Sequence, residues 1–117
     1  MYAARNGALG RTLRSFFCDQ ESVLRKTYDF ITCSEVVEHF HQPAEEFSRF
    51  DRMIRPGGVI GIMTGMLTDD IDFPGWHYRR DPTHVLFYTP QTMRYLASRH
   101  SWRCEFPAKN VTLFFKV

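Results

Sequence analysis

Residues 28–33 read YDFITC, an apolar and β-prone run that predicts a buried strand. Residues 59–64 read VIGIMT and predict a second one. Between them, Pro43 suits the first turn of a helix, where its missing N–H would be unpaired in any case. The helix ends at the RPGG sequence of residues 55–58, and its buried stripe is Phe47, Phe50 and Ile54. The order strand, helix, strand predicts a βαβ unit with parallel strands.

The C-terminal part of the chain adds a helix and a pair of strands. Thr89 and Pro90 suit the N-cap and the first turn of that helix. Its predicted buried positions are Met93, Leu96 and Ala97. Residues 101–106 and 111–117 predict two antiparallel strands joined by a PAKN turn. The predicted fold class is therefore α/β, with helices on the faces of the sheet.

The composition is that of one globular domain. Of the 117 residues, 44% are hydrophobic and 24% are charged, which excludes disorder and collagen-like repeats. The net charge of +2 is too small to indicate a nucleic-acid partner, and no apolar run has the length of a membrane span. Three cysteines without CxxC spacing indicate reduced thiols and a cytoplasmic location.

The N-terminal segment, residues 1–18, is basic, because three arginines precede the first acidic residue, Asp19. Apolar residues recur in this segment at helical spacing, namely Leu9, Leu13, Phe16 and Phe17. This periodicity predicts an amphipathic helix over residues 8–18. A transit peptide is the alternative interpretation. Residues 19–117 then form the domain itself.

Three polar side chains follow the first predicted strand closely: Glu35, Glu38 and His39. If this segment is helical, their spacing of i, i+3 and i+4 places them on one face. Two carboxylates and an imidazole, with room for water, suit Mg²⁺ or Mn²⁺ better than a thiolate-rich zinc site does. The alternative is that Glu38 and His39 shape a pocket or pair with polar groups of a loop.

Residues 68–82 form a long polar and aromatic loop, and ordered loops of this length are usually functional. The side chains that we expect to line a pocket are Trp76, His77, Tyr78, Arg79 and Asp81. The aromatic ones could stack on a ring, and Arg79 could bind a phosphate or carboxylate. The alternative is a loop held by aromatic packing and an Arg79–Asp81 contact.

From about residue 16 onward, the chain resembles the class I S-adenosylmethionine-dependent methyltransferases. The resemblance depends on an ordered series: the strand 28–33, the SEVVEHF segment 34–40, the RPGG turn 55–58, WHYRRDPTH at 76–84 and YTP at 88–90. Each piece alone is common, and it is their order that is specific. The resemblance implies methyl transfer, most naturally to an oxygen of a small-molecule or nucleoside-like acceptor.

The resemblance also implies where the cofactor, S-adenosylmethionine, would bind. Ligands of open α/β sheets collect at the carboxyl ends of the strands. Cys33, Ser34 and Glu35 lie where the first predicted strand ends, so they are the predicted cofactor-binding residues. The alternative is that Cys33 and Ser34 serve only in packing and in capping a helix.

The catalytic residues that the resemblance implies are His39, His84 and Tyr88. The segment around Glu35 and Glu38 is similar to the Glu-x-x-Glu-His sites of quinone-pathway O-methyltransferases and of small-RNA 2′-O-methyltransferases. A later histidine completes the metal site in the second group, and His84 is its counterpart here. A hydroxyl bound to such a metal would be acidified and become a nucleophile.

The sequence departs from the family at the cofactor loop. The only glycines before residue 28 are Gly7 and Gly10, without a preceding apolar strand and without a G-x-G-x-x-G pattern. We therefore expect a truncated Rossmann-like fold, in which the strand 28–33 has an open edge that the N-terminal basic helix or, by self-association, a second copy of the chain would cover. The alternative functions are a non-catalytic binding module that needs a partner chain, and a small metal-dependent hydrolase.

Overall fold

A six-stranded mixed sheet organises the chain, whose computed structural model describes residues 2–5, 12–15 and 27–117. The strands are β1 (Tyr2–Arg5), β2 (Thr12–Ser15), β3 (Tyr28–Ser34), β4 (Ile54–Met63), β5 (Trp102–Ala108) and β6 (Val111–Lys116). Their order across the sheet is β2-β1-β3-β4-β6-β5. β3 and β4 are parallel, and each other neighbouring pair is antiparallel.

The helices of the described residues are α1 (Pro43–Met53), α2 (His77–Arg80) and α3 (Pro90–His100), with 3₁₀ turns at Val37–His39 and Phe73–Gly75. α1 connects β3 to β4, which confirms the predicted βαβ unit. α3 begins as predicted, because the Thr89 hydroxyl accepts a hydrogen bond from the Thr92 N–H at 3.0 Å. None of these helices has both the length and the apolar character needed to cross a membrane.

The core lies on the face of the sheet that α1 and α3 cover. Ile31, Ile60 and Phe114 are neighbours across β3, β4 and β6, and each is at most 1% exposed. Phe47 of α1 packs on Phe114, with ring centroids 6.5 Å apart. The opposite face is more open, since Phe30 on β3 is 41% exposed. Burial is therefore concentrated on one side of the sheet in the described part of the chain.

The predicted α/β fold is confirmed, including the parallel pair and the C-terminal antiparallel pair. The largest boundary difference is in β4, which begins at Ile54 rather than at residue 59, so Ile54 belongs to the strand and not to the helix. The RPGG sequence of residues 55–58 therefore lies within the strand instead of forming a turn. Gly57 has a φ of +82°, and the register with β3 shifts between Tyr28 and Phe30. This irregularity accommodates a proline and a glycine that a regular ladder would not.

The helix predicted over residues 8–18 is wrong where the structure describes that segment, because Thr12–Ser15 forms strand β2. β2 pairs with β1, which in turn pairs with β3. A strand edge offers rows of backbone donors and acceptors, and pairing with them outweighs a local helical periodicity. The other residues of the predicted helix lie outside the described residues.

The same pairing corrects the expectation of an open edge on β3. β1 lies along this edge, where Tyr2 pairs with Thr32, Ala3 with Ile31, and Ala4 with Phe30. The backbone groups on that side of β3 are therefore paired within the chain. Self-association through the strand 28–33 would require β1 to be displaced first.

Candidate functional site

The parallel strands β3 and β4 end at the same edge of the sheet, and the site is built there. Glu35 directly follows β3 with a φ of 53°, a left-handed conformation that is uncommon for a residue with a side chain. Its N–H donates to the Met63 carbonyl at the end of β4, at 2.9 Å. The predicted helix is absent from segment 34–40, which contains only the 3₁₀ turn Val37–His39. Glu35, Glu38 and His39 therefore do not share a helical face.

A chain of hydrogen bonds joins the two glutamates through residues of the following loop. The Tyr78 hydroxyl donates to Glu35 Oε2 at 2.9 Å, and the Thr64 hydroxyl donates to Glu38 Oε2 at 2.9 Å. The two hydroxyl oxygens lie 3.0 Å apart. Glu38 and Thr64 are fully buried, whereas Glu35 is exposed to the cavity described below.

The number of protons available in this series of hydrogen bonds determines whether both glutamates can be ionised. With both carboxyls ionised, the Tyr78 and Thr64 protons go to Glu35 and Glu38, and none remains for the contact between the hydroxyls. If Glu35 is protonated, it donates to Tyr78, Tyr78 donates to Thr64, and Thr64 donates to Glu38, so each of the three contacts has one proton. Burial, together with the neighbouring carboxyl of Glu38, raises the pKa of Glu35. Burial opposes ionisation of Glu38 also, but hydrogen bonds from its own backbone N–H and from neighbouring side chains hold its pKa below the usual value.

Two histidines lie against Glu38 in a defined orientation. His39 Nδ1 lies 2.9 Å from the Thr83 carbonyl oxygen, and His84 Nδ1 lies 2.7 Å from the Tyr78 carbonyl oxygen. A carbonyl can only accept, so Nδ1 carries a hydrogen in both rings, and Nε2 is the nitrogen that a neutral ring presents to a cation. The ring centroids are 4.8 Å apart. This is the orientation in which a histidine binds a metal through Nε2.

Glu38, His39 and His84 place one ligand atom each within 4.8 Å of one another. Glu38 Oε1 is buried, has no hydrogen-bond partner among the described residues and lies 3.7 Å from His39 Nε2. A buried carboxylate oxygen without a donor is costly, and a cation would relieve that cost. These residues therefore fit a divalent cation. Glu35, the fourth predicted ligand, lies outside the group and is bound to Tyr78 instead.

A cavity of about 220 Å³ opens beside Glu35 at the strand ends. It is lined by three of the residues predicted for the acceptor pocket, Trp76, His77 and Tyr78. The Trp76 and Tyr78 rings are stacked, with centroids 5.1 Å apart. Burial raises the pKa of the Tyr78 hydroxyl, so it acts here as a neutral hydrogen-bonding group.

Two other residues of the predicted acceptor pocket lie away from this cavity. Arg79 is exposed, donates to the Pro74 carbonyl at 3.4 Å and covers a phenylalanine ring of its own loop. Asp81 accepts hydrogen bonds from the N–H and the hydroxyl of Thr83, in a turn that leads to His84. Both side chains therefore shape the loop rather than the cavity.

Most of the predicted catalytic and cofactor-binding residues lie outside the cavity lining. Tyr88 is buried away from the cavity and donates its hydroxyl to the Val37 carbonyl at 2.9 Å. His39 and His84 lie behind Tyr78, outside the cavity lining. Cys33 is 1% exposed in the core, whereas Ser34 is exposed at the end of β3.

The turn between β5 and β6 was predicted from the sequence, but its two residues at the site were not predicted as site residues. Lys109 and Asn110 line the cavity with Glu35. The Asn110 carbonyl accepts from the Thr64 N–H at 3.1 Å, and its side-chain oxygen accepts from the Met66 N–H at 3.0 Å. The PAKN turn was visible in the sequence, but its position depends on β6, rather than β5, pairing with β4.

Comparison with solved structures shows the same fold. An O-methyltransferase family protein from Burkholderia thailandensis has a TM-score of 0.59 and 16% identity, over 82% of this chain and 32% of that one. CalO1, a methyltransferase in calicheamicin biosynthesis in its SAH-bound form, has a TM-score of 0.54 and 10% identity, over 81% and 32%. The chain thus spans about a third of the length of each. No curated protein matches the sequence.

A family model described as a methyltransferase domain matches residues 3–105. The match includes the residues before 16, for which the sequence motifs gave no counterpart. It covers the strands β3 and β4, the segment 34–40 and the loop that holds Tyr78. The chain belongs to the methyltransferase domain family.

Proposed function

We propose that this chain provides the acceptor side of an S-adenosylmethionine-dependent O-methyltransferase site. The observation that carries the proposal is the carboxyl group of Glu35, which stands in the cavity where β3 and β4 end. An acceptor hydroxyl in that cavity would donate to Glu35, and the Tyr78–Thr64–Glu38 chain lies directly behind it.

The cofactor would be held at the end of β3 by Ser34 and Glu35, both exposed there. These residues fit one side of a cofactor site. β1, the other neighbour of β3, runs antiparallel to it. The carboxyl end of β1 therefore lies at the opposite edge of the sheet and not beside the cofactor. The bound cofactor supplies a methyl group on a positively charged sulfur, which becomes a neutral thioether as the methyl group leaves.

The residues of this chain would orient the acceptor and take its proton. The cavity-facing oxygen of Glu35 would take the proton of the acceptor hydroxyl, while Glu35 Oε2 keeps its hydrogen bond from Tyr78. Trp76 supplies an aromatic wall for a ring. The acceptor oxygen would then be held close to the methyl group of the cofactor. Methyl transfer would be faster because the two reactants are already oriented.

Titration calorimetry of the full chain with S-adenosylmethionine tests this proposal. We expect binding to wild type and a weaker signal for Glu35→Gln, while Glu45→Gln, an exposed change on α1, leaves binding unaltered. Absence of heat at millimolar cofactor would contradict the proposal and favour the alternative of a non-catalytic module. Equal binding by both variants would remove Glu35 from the cofactor side.

We also propose that Glu38, His39 and His84 hold a divalent cation next to this site. One carboxylate and two imidazoles suit Mn²⁺ better than Mg²⁺, which prefers oxygen ligands and water. The unpaired Glu38 Oε1 and the two lone pairs on Nε2 support the proposal. When bound, such a cation would neutralise the buried Glu38 carboxylate behind Tyr78, outside the cavity that would hold the acceptor.

Paramagnetic broadening of NMR signals by Mn²⁺ tests the metal site. Signals near Glu38 and His84 should broaden at low Mn²⁺ concentration in wild type, and His84→Ala should abolish this effect. His41→Ala, an exposed histidine outside the group, serves as the control and should broaden like wild type. Broadening that persists in the His84 variant would contradict the proposed ligand set.

A further inference from the structure

We propose that the methyl acceptor is a single-ring hydroxy compound with an anionic substituent, and that Lys109 binds this substituent. This inference depends on the function proposed above and names the class of acceptor. In the free protein, Asp70 occupies the position of the anion on Lys109.

The turn that carries Lys109 is fixed to the end of β4. Its neighbour Asn110 accepts hydrogen bonds from the backbone N–H groups of Thr64 and Met66, at 3.1 and 3.0 Å. These two bonds hold the turn beside Glu35, which lines the same cavity. The fold thus fixes the backbone from which Lys109 extends, while the side chain itself is half-exposed. The ammonium group is therefore kept within reach of the cavity that Lys109 lines.

Among the described residues that line the cavity, Lys109 is the one side chain with a full positive charge at neutral pH. Its Nζ lies 2.6 Å from Asp70 Oδ2, and the two side chains are 53% and 65% exposed. Exposed ion pairs contribute little net stability, so an incoming anion would replace Asp70 at small cost. Glu35, a carboxyl of the same lining, accepts from Tyr78 through Oε2 and has a second oxygen for an acceptor hydroxyl.

The cavity of about 220 Å³ is smaller than the pockets of about 300–1,000 Å³ that hold drug-sized ligands. It therefore suits a single ring. Trp76 provides an aromatic wall, Glu35 an acceptor for a hydroxyl, and Lys109 a partner for a carboxylate or phosphate. A ring with a hydroxyl and an anionic group would satisfy all three.

NMR titration of the full chain with 4-hydroxybenzoate and with its neutral analogue 4-hydroxybenzamide tests this inference without cofactor. We expect wild type to bind the acid about fivefold more tightly, as one charge pair in a wet site provides. Lys109→Gln should abolish this preference, and Asp70→Asn should increase it. Lys116→Gln, which changes a lysine that pairs with Asp51, is the matched control and should retain the preference.

Equal binding of acid and amide to wild type, a preference that survives in Lys109→Gln, or the binding of neither probe would overturn the inference. Signals of Glu35, Trp76 and Asn110 should shift during the titration, and shifts confined to other residues would overturn it as well. Because these titrations contain no S-adenosylmethionine, their outcome is independent of the calorimetric test of the proposed function.

Discussion

At the scale of single residues, the site depends on the hydrogen bond from the Thr64 hydroxyl to the buried carboxyl group of Glu38. Thr64 donates to Glu38 at 2.9 Å, and both residues are fully buried. Thr112 is also a fully buried threonine, but its hydroxyl has no hydrogen-bond partner among the described residues. The two threonines therefore differ in what their hydroxyls do, and they form a matched pair for mutagenesis.

We expect Thr64→Val to lower the free energy of unfolding by about 1–3 kcal/mol, because it leaves a buried carboxylate oxygen without its donor. Thr112→Val removes an unpaired hydroxyl and should be neutral or slightly stabilising. Urea unfolding of both variants at pH 7 measures the difference. Equal losses would mean that the Glu38 hydrogen bond contributes nothing beyond packing.

The Lys109–Asp70 pair makes a pH-dependent prediction at the same scale. The hydrogen bond from Lys109 lowers the pKa of Asp70 to about 2, below the ordinary 3.8. Since the pKa of the folded state is the lower one, the contribution of the pair is present above pH 3.8 and is lost as the pH falls through about 2. Lys109→Gln should raise the Asp70 pKa toward 3.8 in a carbon-detected NMR titration. An unchanged value would show that Thr68, rather than Lys109, holds the carboxylate.

At the scale of elements, the sequence predicted those parts whose signals are local. Pro43 and Thr89 mark the starts of α1 and α3, since a first-turn proline and a capping hydroxyl act within a few residues. The left-handed backbone of Glu35 and the inclusion of residues 55–58 in β4 depend on pairing between distant segments. Local propensity contains no information about such pairing.

The cap of α3 gives the prediction for this scale. Thr89→Ala removes the acceptor for the Thr92 N–H and should lower the free energy of unfolding by about 1 kcal/mol. Thr89→Ser retains the hydroxyl and should remain within a few tenths of a kcal/mol of wild type. Thermal unfolding followed by circular dichroism compares the three proteins. A loss of equal size in the serine variant would assign the effect to the methyl group instead of the cap.

At the scale of the whole molecule, topology brings together residues that are far apart in sequence. Glu35 follows β3, Thr64 follows β4, Tyr78 lies in α2, and Asn110 lies in the turn before β6. The sequence predicted that the ends of β3 and β4 would meet, because parallel strands of one βαβ unit end at one edge. It did not predict that β6 lies between β4 and β5, and this order is what brings Asn110 to the site.

The position of β1 between β2 and β3 also predicts when two copies of the chain would associate. Ala3 of β1 pairs with Arg14 of β2 and with Ile31 of β3. Ala3→Pro removes a backbone donor from this central position and should release the edge of β3. We expect concentration-dependent self-association of the variant by light scattering, whereas Ala3→Val, which retains the N–H, should behave like wild type. A proline variant with wild-type mass at all concentrations would contradict the importance of this pairing.

The stacked loop residue Tyr78 has a consequence for motion. Its hydroxyl contacts both Glu35 in the cavity and Thr64 in the buried chain, and its ring lies over Gly65, so close that a Cβ there would be 3.1 Å from it. The loop therefore cannot swing outward to widen the cavity without also letting water reach Glu38. Widening of the cavity beyond its present size and hydration of the buried carboxylate are therefore coupled through the position of one phenol ring.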